Sequence, residues 1–122
     1  MTQAASNISQ RTPQEVFQHH VQALGAEDVE GILLDYGETS RVISPAGVMQ
    51  GKDAIRAFFT ELVRTVPKAQ WTVKTTFVEN VLFLEWTADS DRARISDGVD
   101  TFIFQNVLIQ FQTVRFTAVP KS

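Results

Sequence analysis

The sequence KDAIRAFFTELVRTVP (residues 52–67) gives way to QWTVKTTFVE (residues 70–79), and this change of pattern decides the fold. In the first stretch, apolar residues recur at helical spacing, and Pro67 predicts the end of the helix because the residue before a proline avoids helical backbone angles. In the second stretch, apolar and polar residues alternate, which is typical of a strand with one face on the core. We therefore expect an amphipathic helix over residues 52–66, followed by strands.

Two further helices are predicted before this stretch. Thr12 and Glu15 form a capping box around Pro13, and the apolar stripe that follows predicts a first helix over residues 13–24. Apolar residues at i, i+3, i+4 and i+7 predict a second helix over residues 28–36. The chain therefore begins with two predicted helices, and the third follows further along.

The rest of the chain is predicted to form strands. A short strand is expected at Arg41–Ser44, and four antiparallel strands over residues 70–79, 81–88, 93–104 and 108–119. Such a sheet covers its apolar face by placing all the helices on one side. The sequence therefore predicts an α+β fold, a strongly curved antiparallel sheet that forms a cone over three N-terminal helices. A concavity of this kind binds small molecules.

Composition excludes several classes of protein. With 122 residues there is room for one domain, expected over residues 12–122, behind a flexible leader at residues 1–11 without signal-peptide features. The absence of cysteine excludes disulfides, zinc–cysteine sites and thiol catalysis, and it fits a cytoplasmic location. The net charge of −3, without a cluster of Lys and Arg, predicts no nucleic-acid partner. No segment approaches the roughly 20 apolar residues of a membrane span, so no membrane partner is expected either.

Asp100 is the polar residue that interrupts an apolar strand face. Alternation places it on the same face as Phe102 and Phe104. A carboxylate on an apolar face is costly unless it is paired or protonated, so its pKa should be raised, which suits an acid–base group. The alternatives are that this face is the solvent side and Asp100 is hydrated, or that Asp100 bonds to the backbone of a neighbouring strand.

His20 is the second candidate for chemistry. On a helical wheel it lies beside the stripe of Phe17 and Leu24, whereas His19 points away. Its imidazole is a donor or base if it faces a cavity, and otherwise a packed residue at the core boundary. The two histidines lie about 100° apart on the helix and the chain has no third. The sequence therefore predicts no histidine metal site and no cofactor.

Large apolar residues at inward positions could line a pocket around these polar groups. The alternative for any one of them is that it is plain core. The candidates are Phe58, Phe59, Trp71, Leu82, Leu84, Trp86 and Phe102.

Two segments resemble a known family. VISPAG (residues 42–47) and GKDAIRAFF (residues 51–59) resemble the ketosteroid isomerase and SnoaL-like polyketide cyclase group of the nuclear-transport-factor-two-like superfamily. The resemblance extends from Thr12 to Ala118 and implies the cone-shaped, cystatin-like α+β roll. It indicates the fold better than the activity, since the superfamily includes isomerases, cyclases, dehydratases, epoxide hydrolases and non-enzymes.

The resemblance implies roles for particular positions. The catalytic Asp of the isomerases stands immediately before the proline of the first strand's turn, where this chain has Ser44, a polar ligand-binding candidate that cannot act as a carboxylate base. The second Asp of the isomerases, which is kept protonated and donates to the substrate oxyanion, corresponds to Asp100. The oxyanion-hole tyrosine of their first helix falls at His20, and their apolar pair in the pocket falls at Phe58 and Phe59.

Two classes of function are therefore open. The first is an acid–base enzyme of isomerase, cyclase or hydrolase type, in which Asp100 and His20 act on a small apolar carbonyl, enol or epoxide compound. The second is a non-catalytic module that binds a hydrophobic or amphipathic molecule or serves dimerisation. The resemblance also implies a homodimer, formed through the outer sheet face that carries Val99, Thr101 and Ile103.

Overall fold

The computed structural model describes residues 11–122. The predicted leader therefore lies outside the described residues, except for Arg11. This residue is fixed rather than loose, because its guanidinium donates to Asp35 Oδ1 at 2.8 Å and to the Val107 carbonyl at 3.2 Å.

Three helices and seven strands follow one another along the chain. The helices are α1 (Pro13–Gly25), α2 (Val29–Leu33) and α3 (Gly51–Thr65). The strands are β1 (Tyr36–Ser44), β2 (Gly47–Gln50), β3 (Gln70–Val78), β4 (Val81–Asp89), β5 (Ala93–Gln105), β6 (Leu108–Arg115) and β7 (Ala118–Pro120). The predictions for α1 and α3 are confirmed, and the Thr12–Glu15 capping box is formed in both directions.

The strands form one curved, unclosed sheet in the order β2-β1-β6-β5-β4-β3, with β7 added beside β5. The four strands from β3 to β6 pair antiparallel, as predicted. The sequence did not predict the parallel contact between β1 and β6. Register shifts in β1, β4 and β5 mark the irregular points at which such a sheet bends.

The predicted second helix is too long. It ends at Leu33, and Tyr36 begins β1 instead of closing the helix. Gly31 weakens this five-residue helix, and the backbone beyond it bonds to β6, where the Ile109 amide donates to the Asp35 carbonyl at 2.7 Å. The helical spacing of Tyr36 therefore reflects burial of its ring, which is 1% exposed, and not helical structure.

The segment predicted as the last strand, residues 108–119, forms two strands in the structure. β6 ends at Arg115, and β7 pairs with the start of β5 instead of continuing along β6. The Asp97 carboxylate accepts the Thr117 amide at 2.8 Å, which holds the chain where it leaves β6.

The sequence did not predict the type of the tight turn between β5 and β6. Asn106 and Val107 both have positive φ, 54° and 59°, as the two central residues of a type I′ turn require. Asn tolerates this conformation well and a β-branched residue does not, so Val107 is a strained position.

The core lies between the helices and the inner face of the sheet. Its largest fully buried side chains include Tyr36, Phe59 and Phe102. Within residues 11–122, no helix is both long and apolar enough to cross a membrane.

Candidate functional site

A pocket opens between helices α1 and α3 and the inner face of strands β3 to β6. Its wall is apolar and aromatic apart from three polar side chains. The polar members are His20, Asp100 and Gln112. The apolar members are Phe17, Val21, Leu24, Phe58, Phe59, Leu62, Trp71, Val73, Leu84, Trp86, Phe102 and Val114.

The pocket is narrow. Its cavity volume is about 40 Å³. Val73 is 41% exposed, and Phe58 and Trp71 are half-buried, so these side chains form the rim. The site therefore fits a small, slim ligand that enters past aromatic rings.

Asp100 lines this pocket, on the apolar strand face predicted for it. It is 4% exposed. Trp86 Nε1 donates to its Oδ1 at 2.8 Å, and Gln112 Nε2 donates to its Oδ2 at 2.8 Å. Of the open alternatives, the solvent-facing position and the bond to a strand's backbone are excluded. Asp100 is a buried carboxylate held by two side-chain donors.

A third residue fixes the orientation of Gln112. The Tyr36 hydroxyl, which is itself buried, donates to Gln112 Oε1. The Gln112 amide nitrogen is thereby turned towards Asp100, where it acts as a donor. The chain Tyr36–Gln112–Asp100–Trp86 is thus a connected buried network with a defined polarity.

Opposing effects set the pKa of Asp100. Burial raises the pKa of its carboxyl from 3.8 to about 6, while the hydrogen bonds from Trp86 and Gln112 hold it lower than burial alone would. The direction is the one expected from the sequence. The value differs from that of the permanently protonated acid implied by the isomerase resemblance, because two N–H donors stabilise the charged form. Asp100 is therefore largely ionised at neutral pH and able to accept a proton.

Gly98 makes room for the Trp86 contact. Gly98 pairs with Trp86 across β4 and β5, two residues before Asp100 on the same strand face. A Cβ atom at position 98 would lie 2.2 Å from Trp86 Cε2. The indole therefore lies directly over the glycine, and this position brings its N–H to Asp100.

His20 is buried among aromatic rings on the helix side of the pocket. It is 4% exposed, and its ring centroid lies 5.5 Å from that of Phe59, 5.6 Å from Phe102, and 6.1 Å from Phe17 and Tyr36. Its Nδ1 atom is buried without a hydrogen-bond partner among the described residues. Burial, with a smaller contribution from the neighbouring His19, lowers the pKa of His20 to about 4. The imidazole is therefore neutral at physiological pH.

His20 and Asp100 share the pocket but form no hydrogen bond with each other in the part of the chain that the structure describes. His19 points away, as predicted, and its Nδ1 lies 2.8 Å from Asp35 Oδ2. In residues 11–122 no group of three His, Asp or Glu side chains could hold a metal ion.

Most of the predicted pocket residues line the pocket, and two do not. Those that do are Phe58, Phe59, Trp71, Leu84, Trp86 and Phe102. Leu82 is fully buried core. The Ser44 hydroxyl lies in the turn after β1, where it accepts the Ala46 amide at 3.1 Å. Because this hydroxyl serves the turn, we leave Ser44 out of the site.

Sequence reasoning missed Gln112 and Tyr36. Gln112 had a usable signal, since alternation along β6 places this polar residue on the same face as Val114. The sequence pattern assigns Tyr36 to a helix, so it gives no indication that this residue lies beside the inner face of β6.

Replacing Gly98 with Ala should disturb the site directly. The added methyl group collides with the Trp86 ring, so the indole must shift and lose its bond to Asp100. We expect a loss of about 1–3 kcal/mol in the free energy of unfolding and a changed near-UV circular dichroism spectrum. Gly25→Ala is the matched control, because nothing lies within 4 Å of a Cβ there. Equal behaviour of the two variants would contradict this account of Gly98.

Asp100 and His20 should give opposite pH dependences of stability. Folding raises the pKa of Asp100 from 3.8 to about 6, so its contribution falls as pH rises across that interval. Folding lowers the pKa of His20 from 6.5 to about 4, so its contribution rises with pH between those values. Between pH 4 and 6 the two trends cancel in the native protein.

The variant Asp100→Asn removes the pH dependence of stability that is due to Asp100 and keeps the one that is due to His20. We expect the difference in unfolding free energy between Asp100→Asn and the native protein to shift in favour of the variant by about 2 kcal/mol from pH 4 to pH 6.5. Urea unfolding across this range measures the shift. Other carboxylates cancel in the difference, and His20→Phe should show the opposite sign. A difference that does not change with pH would mean that Asp100 titrates normally.

The fold is shared with solved structures of low sequence identity. A SnoaL-like protein of unknown function from Burkholderia thailandensis is 18% identical, with a TM-score of 0.70, over 96% of this chain and 98% of that one. An NTF2-like protein of unknown function from Burkholderia xenovorans is 17% identical, with a TM-score of 0.73, over 95% and 91%. A candidate ketosteroid isomerase from Kribbella flavida is 15% identical, with a TM-score of 0.72, over 90% and 81%. At such identities these likenesses show the fold alone.

The sequence itself decides the family. No curated protein matches the chain. The model of the SnoaL-like domain matches residues 17–111, which run from the first pocket residue of α1 to the middle of β6. This chain belongs to the SnoaL-like domain family.

Proposed function

We propose that this SnoaL-like domain binds a small, mostly apolar molecule in the pocket and exchanges a proton with it through Asp100. The observation that carries the proposal is the placement of Asp100, a buried carboxylate in a pocket whose wall is mostly apolar and aromatic. Its pKa of about 6 puts both protonation states within reach at neutral pH, which acid–base catalysis requires.

His20 has a second role in this proposal. Its neutral ring lines the same pocket, with Nδ1 free of partners among residues 11–122. It contributes a polar ring to the pocket wall without bringing a charge into the aromatic cluster. The reaction class that fits is proton transfer on a small carbonyl, enol or epoxide compound in the cytoplasm.

The assignment of base differs from that of the isomerases that the sequence resembles. Their base position is occupied by Ser44, whose hydroxyl is used in a turn. Asp100 is the one pocket carboxylate among the described residues, so the proposal assigns the role of base to it. The alternative is a binding module without catalysis, which the narrow apolar pocket also supports.

Cyclohexanone offers a direct test, because its α-protons exchange for deuterium once a base removes them. We expect the protein to accelerate this exchange in D₂O by about 10² or more, with a rate that rises as pH increases through about 6. Proton NMR measures the exchange. Asp100→Asn should abolish the acceleration and still bind the ketone, and exposed Asp91→Asn should change neither. Binding without any acceleration by the native protein would leave the non-catalytic module.

We further propose that two copies pair through the outer sheet face. Val81, Phe83 and Ile103 are adjacent on that face and remain 37%, 45% and 37% exposed, which is costly for large apolar side chains in water. Light scattering at micromolar concentration should therefore give twice the mass of the chain. Phe83→Glu should give a monomer, whereas Leu34→Glu, at a similarly exposed site beside α2, should not. A monomeric native protein would contradict the proposal.

A further inference from the structure

We propose that the preferred occupant of the pocket is a small organic cation, a protonated amine with an apolar body. The inference rests on the proposed function only in taking this pocket as the binding site, and it does not depend on any reaction. It follows from the hydrogen-bond polarity and the charge of the pocket wall.

The hydrogen bonds at Asp100 all run in one direction. Trp86 and Gln112 both donate to its carboxylate, and the Tyr36 hydroxyl keeps the Gln112 amide in the donating orientation. A carboxylate has about four lone-pair sites, so two donors leave room for a third. Asp100 therefore has spare capacity to accept a hydrogen bond, and the ligand group that complements it is a donor.

The charges of the pocket wall also favour a cationic ligand. Among the described lining residues Asp100 is the one acid, and neither Lys nor Arg is among them. The ionisable groups near Asp100 are His20 of α1 and Tyr36 of β1. The other elements that line the pocket, α3, β3, β4 and β6, contribute apolar residues together with Trp86 and Gln112. Burial keeps His20 neutral and raises the pKa of the Tyr36 hydroxyl, so neither supplies a positive charge at neutral pH. A ligand cation would supply the missing countercharge.

Aromatic rings line the route to the carboxylate. The Trp71 and Trp86 rings lie 5.6 Å apart and are tilted by 43°, and Phe58 lies across the rim. An ammonium group within about 6 Å of such ring faces is attracted by their quadrupoles, with tryptophan the most effective. Buried carboxylate and indole rings together favour an ammonium over an uncharged group of the same size.

Three single-ring probes of similar size separate the possibilities at pH 7.5. Benzylamine carries a positive charge, benzyl alcohol is a neutral donor, and acetophenone only accepts hydrogen bonds. We expect benzylamine to bind at least about 10-fold more tightly than either neutral probe, by titration of tryptophan fluorescence and of amide shifts in NMR. Asp100→Asn should remove the preference, and exposed Asp91→Asn should retain it.

A pH series on the native protein gives the same information without any variant. Between pH 7.5 and 5, Asp100 takes up its proton while His20 stays neutral. Benzylamine binding should weaken about 10-fold over this range, and benzyl alcohol binding should not. Neutral probes that bind as tightly as benzylamine, or a preference that is independent of pH, would overturn the inference and leave the proposed binding site intact. Failure of all three probes to perturb pocket residues would overturn both.

Discussion

The structure depends on keeping a carboxylate inside an apolar shell. Asp100 is held there by one N–H from Trp86 and one from Gln112, each at 2.8 Å. Without these donors the burial of an ionised carboxylate would cost several kcal/mol, and the group would take up a proton instead. The partners in turn restrict their neighbours, since Trp86 requires a glycine beneath it and Gln112 requires the Tyr36 hydroxyl behind it. The inner face of three neighbouring strands is therefore organised around one charge.

The two sides of the pocket have different chemical characters. The sheet side carries the charged network, whereas the helix side presents His20 inside a cluster of phenyl rings. The same burial raises the pKa of the acid and lowers that of the base, so each group is driven towards its neutral form. Asp100 stays largely ionised because Trp86 and Gln112 donate hydrogen bonds to its carboxylate. The SnoaL-like fold supplies the cavity, and the residues on the sheet decide its electrostatics.

Much of this could be predicted from the sequence because local signals were strong. The capping box at Thr12, the stop at Pro67 and the alternation around Asp100 each depend on a few neighbouring residues, and each prediction is confirmed. The errors arose where long-range pairing decides the structure. Tyr36 follows helical spacing, but its segment pairs in parallel with β6, more than 70 residues away. The donors to Asp100 lie 14 and 12 residues from it, on other strands, and local periodicity cannot supply such a network. Ser44 shows the limit of carrying roles over from a family, since its position matches while its hydroxyl serves the turn.

The glycine beneath Trp86 links two positions that stand far apart in the sequence. An indole at position 86 tolerates no side chain at position 98, whereas a smaller residue at 86 would leave a gap that a side chain at 98 could fill. In relatives that keep this strand pairing, the two positions should therefore vary together, as a bulky residue opposite a small one. A small residue at position 86 with a large one at position 98 would move the large side chain from β4 to β5. This change would reshape the sheet wall of the pocket at nearly constant core volume. The exchange would also remove the indole N–H that donates to the carboxylate two residues further along β5, so this pair couples the shape of the pocket to the charge inside it.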